Sequence, residues 1–154
     1  MLMSMHVREY KTKDQAEVIA LWDANGLTRP WNDPATDITL TVQGRESTLL
    51  VGLKNGAIMS SVMVGFDGHR GWVYYHCVDA AYRGRGHGRE LMIEAEAWLR
   101  DRKAPKIQLM VRSDNRDAEK FYSALGYEMQ SVTVLGKRLD EEISGTVVQV
   151  TECA

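Results

Sequence analysis

Three strand-like apolar segments joined by two short turns constrain this chain more than any other feature. They lie between residues 47 and 78, and the dipeptides Asn55-Gly56 and Asp67-Gly68 separate them. Both dipeptides accommodate the positive φ angles that tight hairpin turns require, and they favour antiparallel pairing of the strands they join. The sequence therefore predicts a three-stranded antiparallel meander in the middle of the chain.

Helical and strand-like patterns lie on both sides of this meander. Two helices are predicted before it, at residues 13–26 and 33–43, after a first strand at the N-terminus. A third helix, a strand and a fourth helix follow it. Residues 127–139 alternate and predict two more strands. The order predicts an α/β (α+β) fold, with a mixed sheet of six to seven strands flanked by four helices.

The strand–helix–strand unit at about 71–111 is expected to form a right-handed crossover between two parallel strands. No low-complexity linker interrupts the 154 residues. One domain is predicted over residues 1–140, followed by a C-terminal tail, 141–154, whose pattern supports no structural assignment.

Composition excludes several classes of function. The formal net charge of −2 argues against a general nucleic-acid binder, which normally carries a basic excess. The four histidines and two cysteines are scattered without metal-binding spacing, so no metal is expected. The N-terminal residues lack the apolar core of a signal peptide, and no run approaches the ~20 apolar residues of a membrane span. A cytoplasmic protein without a membrane partner is expected.

The stretch RGRGHGRE, residues 83–90, combines alternating glycines with arginines at the start of the third helix. It fits neither the Walker A pattern nor the GxGxxG dinucleotide fingerprint. Glycines let main-chain N–H groups approach a ligand closely, and a helix N-terminus attracts anions. Residues 83–88 are therefore interpreted as a pyrophosphate cradle. The alternative is a tight turn with solvated arginines.

The pattern Arg83-x-x-Gly86-x-Gly88, placed after an apolar strand, resembles the pyrophosphate motif of the GNAT acetyltransferases. The predicted order of elements is similar to the GNAT fold over residues 5–139. The phrases RPWNDP, GFDGHRG and LGKRL resemble the small bacterial YpeA-type branch. The resemblance implies that acetyl-CoA is the acyl donor and that a primary amine of a small molecule, protein or peptide is the acceptor.

In this family the strand before the loop splays from its parallel neighbour, and the pantetheine arm lies in the gap. Carried over to this sequence, the resemblance implies main-chain contacts with the cofactor along that strand. Val78 also fits a core strand residue, and its side chain can pack while its main chain binds. The implied cofactor contacts are Cys77, Val78 and Asp79 for pantetheine, and Arg83, Gly84, Arg85, Gly86, His87 and Gly88 for pyrophosphate.

Asn115 and Tyr122 are seven residues apart and share one face of the fourth helix. The resemblance implies that Asn115 contacts the cofactor and that Tyr122 protonates the departing CoA thiolate. The alternatives are a helix N-cap for Asn115 and a half-buried packing role for Tyr122.

A general base is harder to assign. Related N-terminal acetyltransferases often carry Glu in the strand before the helix Asn, whereas Met110 stands here. This departure weakens the case for an acetyltransferase of ribosomal-protein type. His76 is the candidate base; a packed strand histidine and a water-mediated route are the alternatives. The resemblance implies direct attack by the amine. An acetyl-Cys77 intermediate is the alternative, but a cysteine in an apolar strand is more often inert packing.

The acceptor pocket of related enzymes is walled by the loop between the first two helices. Here that loop supplies Arg29 and Trp31, which are predicted to contact the acceptor; Trp31 fits equally a core plug. Two non-enzymatic alternatives stay open: an acyl-CoA sensor in the same fold, and an interaction module that uses the tail. The oligomeric state is left open, with a homodimer as one outcome.

Overall fold

The structure is a computed structural model, and it describes residues 5–140. The chain divides between Leu109 and Met110 into two compact units, and each is described on its own. The first unit contains the sheet and three α-helices, and the second contains one α-helix. The prediction of a single domain over residues 1–140 stays a prediction, and the 141–154 tail lies outside the described residues.

Five strands form one sheet in the first unit. Their order is β1-β2-β3-β4-β5. Strands β1 to β4 pair with one another antiparallel, whereas β4 and β5 pair parallel. The predicted mixed sheet is confirmed, with fewer strands than expected. The strands are β1 His6–Glu9, β2 Ser47–Lys54, β3 Ala57–Phe66, β4 Gly71–Val78 and β5 Ile107–Gln108.

The two predicted hairpins connect β2 to β3 and β3 to β4. Asn55 and Gly56 have φ angles of 53° and 78°, as a two-residue turn with two left-handed positions requires. In the second hairpin, Asp67 Oδ1 accepts the main-chain N–H groups of His69 and Arg70 at 2.8 and 2.7 Å. The meander prediction is confirmed.

Four α-helices are present in residues 5–140: α1 Gln15–Ala24, α2 Pro34–Gln43, α3 His87–Asp101 and α4 Arg116–Ala124. Local sequence explains their ends. The Asp33 side chain accepts the N–H of Ala35 and caps α2, with proline at the first helical position. Gly26, at φ 68°, ends α1 in the left-handed conformation.

Helices α1 and α2 pack with the sheet around one apolar cluster. Trp22 and Val18 of α1, Ile38 of α2 and Cys77 of β4 are among its buried members. Full burial of one such large apolar side chain stabilises the fold by ~1.5–3 kcal/mol.

Helix α3 packs against the sheet through Leu91, Ala95 and Leu99, which are buried. A Cβ at Gly71 of β4 would lie 2.5 Å from Leu99 Cδ1, so a glycine is needed where the helix approaches the strand.

A bulge interrupts the pairing of β3 with β4. Ser61 pairs with Cys77 and Met63 with Tyr74, so Val62 alone opposes two β4 residues, 75 and 76. An extra residue of this kind changes the face on which the following side chains lie.

The bulge shifts the alternation along β4. Gly71 faces Leu99 of α3, whereas Cys77 belongs to the cluster beneath α1 and α2. These two strand residues are six positions apart and would share a face in a regular strand. The bulge residue Tyr75 has φ 51°, which is rare for a residue with a side chain.

Strands β4 and β5 pair only at Gly71↔Ile107 and Trp72↔Gln108. From residue 73 to 78, β4 has no β5 partner within the described chain. This is the splayed parallel pair that the sequence resemblance implies, and it leaves one main-chain edge of β4 uncovered by β5.

Residues 127–140 contain no strand, so the prediction of two strands at 127–139 is wrong. Met129 is 83% exposed and Leu135 91% exposed. The alternation suits a strand, but a strand is stable only with a partner ladder. No segment between residues 5 and 140 provides one. Across the same described residues, no helix is both long and apolar enough to cross a membrane.

Candidate active site

The loop before α3 owes its shape to two glycines with positive φ. Gly84 has φ 77° and Gly86 has φ 86°, a region that residues with a Cβ rarely adopt. A Cβ added at either position would meet no heavy atom within 4 Å. Glycine is therefore required for main-chain conformation and not for lack of room, and the space beside the loop can accept a ligand.

Gly86 is also the N-cap residue of α3, a helix of 15 residues. The first N–H groups of a helix have no acceptor within it, and the helix dipole places partial positive charge at the same end. This combination suits an anion such as a pyrophosphate.

The two arginines of the loop have different surroundings. Arg83 Nε donates to the carbonyl of Val78 at 3.1 Å, and an Nη2–H of Arg83 donates to the side-chain oxygen of Asn25. Arg83 thus ties the end of β4 to the C-cap of α1. The guanidinium of Arg85 lies over the ring of Tyr82, 5.8 Å from its centre.

His87, the first residue of α3, is 5% exposed. Neither of its ring nitrogens has a hydrogen-bond partner among residues 5–140. Glu90 Oε1 lies 3.6 Å from His87 Nδ1. The imidazole therefore packs in the interior, so a ligand contact by His87 would fall to its main chain.

His76 lies in the bulge, with its Nε2 3.1 Å from the carbonyl oxygen of Gly88. In the tautomer that carries the proton on Nε2, the ring donates to this carbonyl and ties β4 to the first turn of α3. Burial lowers the pKa of His76 from 6.5 to about 4, because the charged imidazolium loses its hydration. The ring is neutral at neutral pH.

Cys77 is buried, and burial raises the pKa of its thiol from 9.0 to about 11. A thiol protonated at neutral pH is a poor nucleophile, which supports the expectation that Cys77 forms no acetyl intermediate. The main-chain groups of Asp79 are already bonded: its N–H donates to Met59 O at 2.7 Å, and its carbonyl accepts the N–H of Tyr82 at 2.9 Å.

The loop between α1 and α2 carries the predicted acceptor residues. Arg29 Nη1 donates to the carbonyls of Gly26 at 2.6 Å and Thr28 at 3.2 Å. Trp31 is 41% exposed, so its side chain does not plug the core. Its predicted contact with an acceptor stays a prediction.

A network beside the bulge was not predicted from the sequence. The ring of Tyr75 stacks on Trp22 of α1, with centroids 3.8 Å apart and planes 10° apart. Its hydroxyl donates to Asp37 Oδ2 of α2 at 2.5 Å. Burial, then the bond to Asp37, raises the pKa of Tyr75 well above its usual range.

Ser61 completes this network inside the sheet. The indole Nε1–H of Trp22 donates to Ser61 Oγ at 2.8 Å, and the Ser61 hydroxyl donates to the carbonyl of Tyr75 at 2.7 Å. The polar groups of a buried tryptophan and a buried serine are therefore satisfied at the bulge. Nothing in the residue types marks Tyr75 as a position with positive φ, so sequence patterns gave no signal for it.

The second unit holds the other predicted site residues. Asn115 Oδ1 accepts the N–H of Ala118 at 3.1 Å, so the N-cap alternative for Asn115 is confirmed. Tyr122 lies two turns further along α4, half-buried, with edge-on ring contacts to Phe121 and Tyr127. A cofactor contact by Asn115 and an acid role of Tyr122 stay predictions.

The described part of the chain, residues 5–140, brings no three His, Cys, Asp or Glu side chains together in an arrangement that could hold a metal ion. Comparison with known proteins identifies the family of the chain. Residues 14–127 match the profile of the Acetyltransferase (GNAT) family. The chain belongs to the GNAT acetyltransferase family.

Bacterial relatives match this GNAT chain over most of its length. An acetyltransferase of Sodalis glossinidius is 45% identical over 139 residues, which cover 90% of this chain and 98% of that protein. An acetyltransferase of Yersinia pestis is 44% identical over 135 residues, covering 88% and 96%.

Solved structures share the GNAT fold at lower identity. AAC(6')-Iy, solved with the bisubstrate analogue CoA-S-monomethyl-acetylneamine, has a TM-score of 0.76 at 15% identity and covers 89% of this chain and all of that one. A ribosomal-protein-alanine N-acetyltransferase from Brucella melitensis has a TM-score of 0.71 at 17% identity, covering 88% and 100%. Likeness at these identities establishes the fold alone.

Enzymes of the GNAT family use acetyl-CoA as the acetyl donor, and the loop of this GNAT chain fits that donor. Open space borders Gly84 and Gly86, and the loop leads into the N-terminus of a long helix. The adjacent strand β4 has an edge that β5 leaves uncovered after Trp72.

Proposed function

We propose that this GNAT protein transfers the acetyl group of acetyl-CoA directly to a primary amine of a small molecule, peptide or protein. The observation that carries the proposal is the positive-φ glycine loop at residues 84–86, set at the N-terminus of α3 and directly after the splayed strand β4. A pyrophosphate needs closely approaching N–H donors, and this loop provides them.

Each part of the first unit has one role in the proposal. Residues 83–88 hold the pyrophosphate, and the main chain of Cys77–Asp79 holds the pantetheine arm. Both main-chain groups of Asp79 are already bonded, and the carbonyl of Val78 accepts from Arg83 Nε, so Asp79 contributes least of the three. Bound acetyl-CoA supplies an activated thioester, and main-chain N–H groups of β4 stabilise negative charge on its carbonyl oxygen during attack.

In the second unit, Tyr122 serves as general acid. A tyrosine hydroxyl is ordinarily protonated at neutral pH and can donate its proton to a departing thiolate. Asn115 organises the start of the same helix through its cap bond to Ala118 and contacts the cofactor from there.

In this proposal, water accepts the proton that the acceptor ammonium must lose before its nitrogen attacks. His76 was the predicted base, but its pKa of about 4 makes it a weak one. The Nε2 atom of His76 is also engaged with Gly88 O. We assign His76 the role of holding β4 against α3.

The acceptor enters beside the loop between α1 and α2, where Trp31 is exposed and Arg29 lines the turn. The arginine side chain is held by two main-chain carbonyls, so its position is fixed before an acceptor arrives. An exposed tryptophan offers an apolar surface on which the carbon skeleton of an amine can pack.

A turnover screen tests the proposal. Release of free CoA thiol from acetyl-CoA is measured against polyamines, amino sugars, amino acids and peptides, with calorimetric binding of acetyl-CoA measured in parallel. We expect saturable binding and amine-dependent thiol release. Tight binding with no turnover on any amine would favour the acyl-CoA sensor. Absence of binding would show that the loop is not the cofactor site.

A further inference from the structure

The β4 bulge is held in place by side chains from outside the strand. Tyr75 has φ 51°, a left-handed conformation that residues with a Cβ rarely adopt. Such a conformation persists only where surrounding structure enforces it. The Tyr75 carbonyl is fixed by Ser61, its ring by Trp22 and its hydroxyl by Asp37.

These anchors come from three different elements. Ser61 belongs to the neighbouring strand β3, Trp22 to α1 and Asp37 to α2. Helices α1 and α2 flank the loop of residues 25–33, which contains the predicted acceptor residues. The two helices that border the acceptor loop therefore also determine the main-chain geometry of the cofactor strand.

The bulge lies where main-chain geometry matters most. It immediately precedes Cys77 and Val78, and β5 leaves this part of β4 uncovered. A bulge redirects the N–H and C=O groups beside it relative to a regular strand. A relaxed bulge would re-aim the N–H groups that face an acyl donor.

Asp37 is half-buried and holds Tyr75 through one oxygen, Oδ2. Its remaining hydrogen bonds, through its main chain, are helical: its N–H donates to Asp33 O, and its carbonyl accepts the hydroxyl of Thr41. The carboxylate has no ion pair with a cation among residues 5–140. Its one side-chain function in the described structure is to accept from Tyr75.

We propose that Asp37 and Tyr75 are positioning residues for acetyl transfer. The Tyr75–Asp37 hydrogen bond, supported by the stack on Trp22, sets the bulge and so aims the main-chain N–H groups of β4 at the acyl carbonyl. The inference rests on the proposed function, because it assigns the bulge a place in that reaction.

A series of substitutions at the Tyr75–Asp37 hydrogen bond distinguishes a positioning role from an effect of the Asp37 charge. Asn at position 37 keeps an oxygen that can accept from Tyr75 but removes the charge. Asp37→Ala removes both the acceptor oxygen and the charge. Tyr75→Phe removes the hydroxyl donor and keeps the aromatic ring. The matched control is Thr39→Ala, an exposed position on α2 whose hydroxyl donates to Ala35 O of its own helix and to no other acceptor in residues 5–140.

We expect Asp37→Ala and Tyr75→Phe to lower kcat by about 10- to 100-fold, the cost of a small misplacement of reacting groups. The Kd for acetyl-CoA should rise by a smaller factor than kcat falls, because the pyrophosphate loop is untouched while only the pantetheine contacts of Cys77 and Val78 shift. Asp37→Asn should recover most of kcat, and Thr39→Ala should match the unmodified protein. Hydrogen exchange at the amides of residues 76–78 should be faster in the two damaging variants only.

Two kinetic results would overturn the inference. One is an unchanged kcat in Asp37→Ala. The other is equal damage from Asn and Ala at position 37, which would mean that the charge acts on the acceptor directly. If the unmodified protein acetylates no amine, the proposed function fails, and the exchange rates still decide whether Asp37 holds the bulge. Equal amide exchange rates at residues 76–78 in all variants would contradict the claim that Asp37 holds the bulge.

Discussion

The loop at residues 83–88 and helix α4 offer their functional groups in opposite ways. In the loop, glycines at φ 77° and 86° expose the main chain, and the buried His87 side chain points away from solvent. On α4, the proposed roles depend on the amide of Asn115 and the hydroxyl of Tyr122.

This difference determines what a substitution changes. Every residue except proline supplies a main-chain N–H, so the loop is sensitive to conformation and much less to side-chain chemistry. In α4, a regular helix accepts many residue types, so a substitution there removes specific atoms and leaves the backbone in place. The loop should respond in cofactor affinity through its main chain. In the second region, Tyr122 should respond in the rate of the chemical step and Asn115 in the KM for the cofactor.

The largest expected effect is on α4. Tyr122→Phe should lower kcat by about 10²–10⁴-fold, the usual range for one acid–base group. The KM for acetyl-CoA should change little, because the aromatic ring and its contacts remain. The measurement is steady-state thiol release with a known acceptor, under conditions in which chemistry limits the rate.

Asn115→Ala is the companion variant on the same helix. Loss of its bond to Ala118 should destabilise α4 by ~1 kcal/mol, and loss of the amide should raise the KM for acetyl-CoA. A Tyr122→Phe enzyme with near-normal kcat would remove the hydroxyl from the mechanism and end the contrast between the two regions.

The next effect is in the loop. Gly86→Asp should weaken acetyl-CoA binding at least about tenfold, because it places a carboxylate in an anion site and a Cβ at φ 86°. Isothermal titration measures the loss directly. Gly56→Asp, at φ 78° in the β2–β3 turn, carries the same change and should bind normally. Equal losses in both variants would point to unfolding instead of a cradle.

A smaller effect concerns His76, whose side chain ties β4 to α3. Its folded pKa of about 4 lies below the unfolded value of 6.5, so the unfolded chain binds more protons between these values. This residue therefore makes the free energy of unfolding fall as pH falls from about 6.5 toward 4. Gln can place an amide N–H near the position of Nε2.

We expect His76→Gln to flatten the decline in stability between pH 7 and pH 5, measured by urea unfolding at each pH. His69→Gln, in the exposed hairpin turn, is the control and should leave the decline unchanged. An identical slope in His76→Gln and the unmodified protein would mean that the ring is not held neutral.

Features with local chemical signatures could be predicted from the sequence. The Asn55-Gly56 turn, the Asp33 cap and the glycines of the 83–88 loop each demand a particular residue type, and the structure contains all three. The order of strands and helices through α4 followed from apolar periodicity.

The bulge could not be predicted, because Tyr75 adopts a glycine-like φ that contacts with Trp22 and Asp37, distant in the chain, help to sustain. These contacts join residues 38 and 53 positions apart in the chain, so no local window contains them. The prediction of strands at residues 127–139 was wrong for a related reason, since an alternating pattern does not reveal whether a partner strand exists.

The bulge also has a consequence for chain length. Between Gly71 and Cys77, β4 contains one residue more than the opposing run of β3 needs. Deletion of Tyr75 would leave Gly71 and Cys77 five positions apart, and a strand of regular pitch would then keep them on opposite faces, as the bulge does now. Cys77 would still face the cluster beneath α1 and α2, and the deletion would remove the bulge together with the Tyr75 contacts to Trp22 and Asp37. Length changes are usually tolerated in loops, but in this protein a strand would lose one residue at the bulge without inverting the segment leading to the cofactor loop.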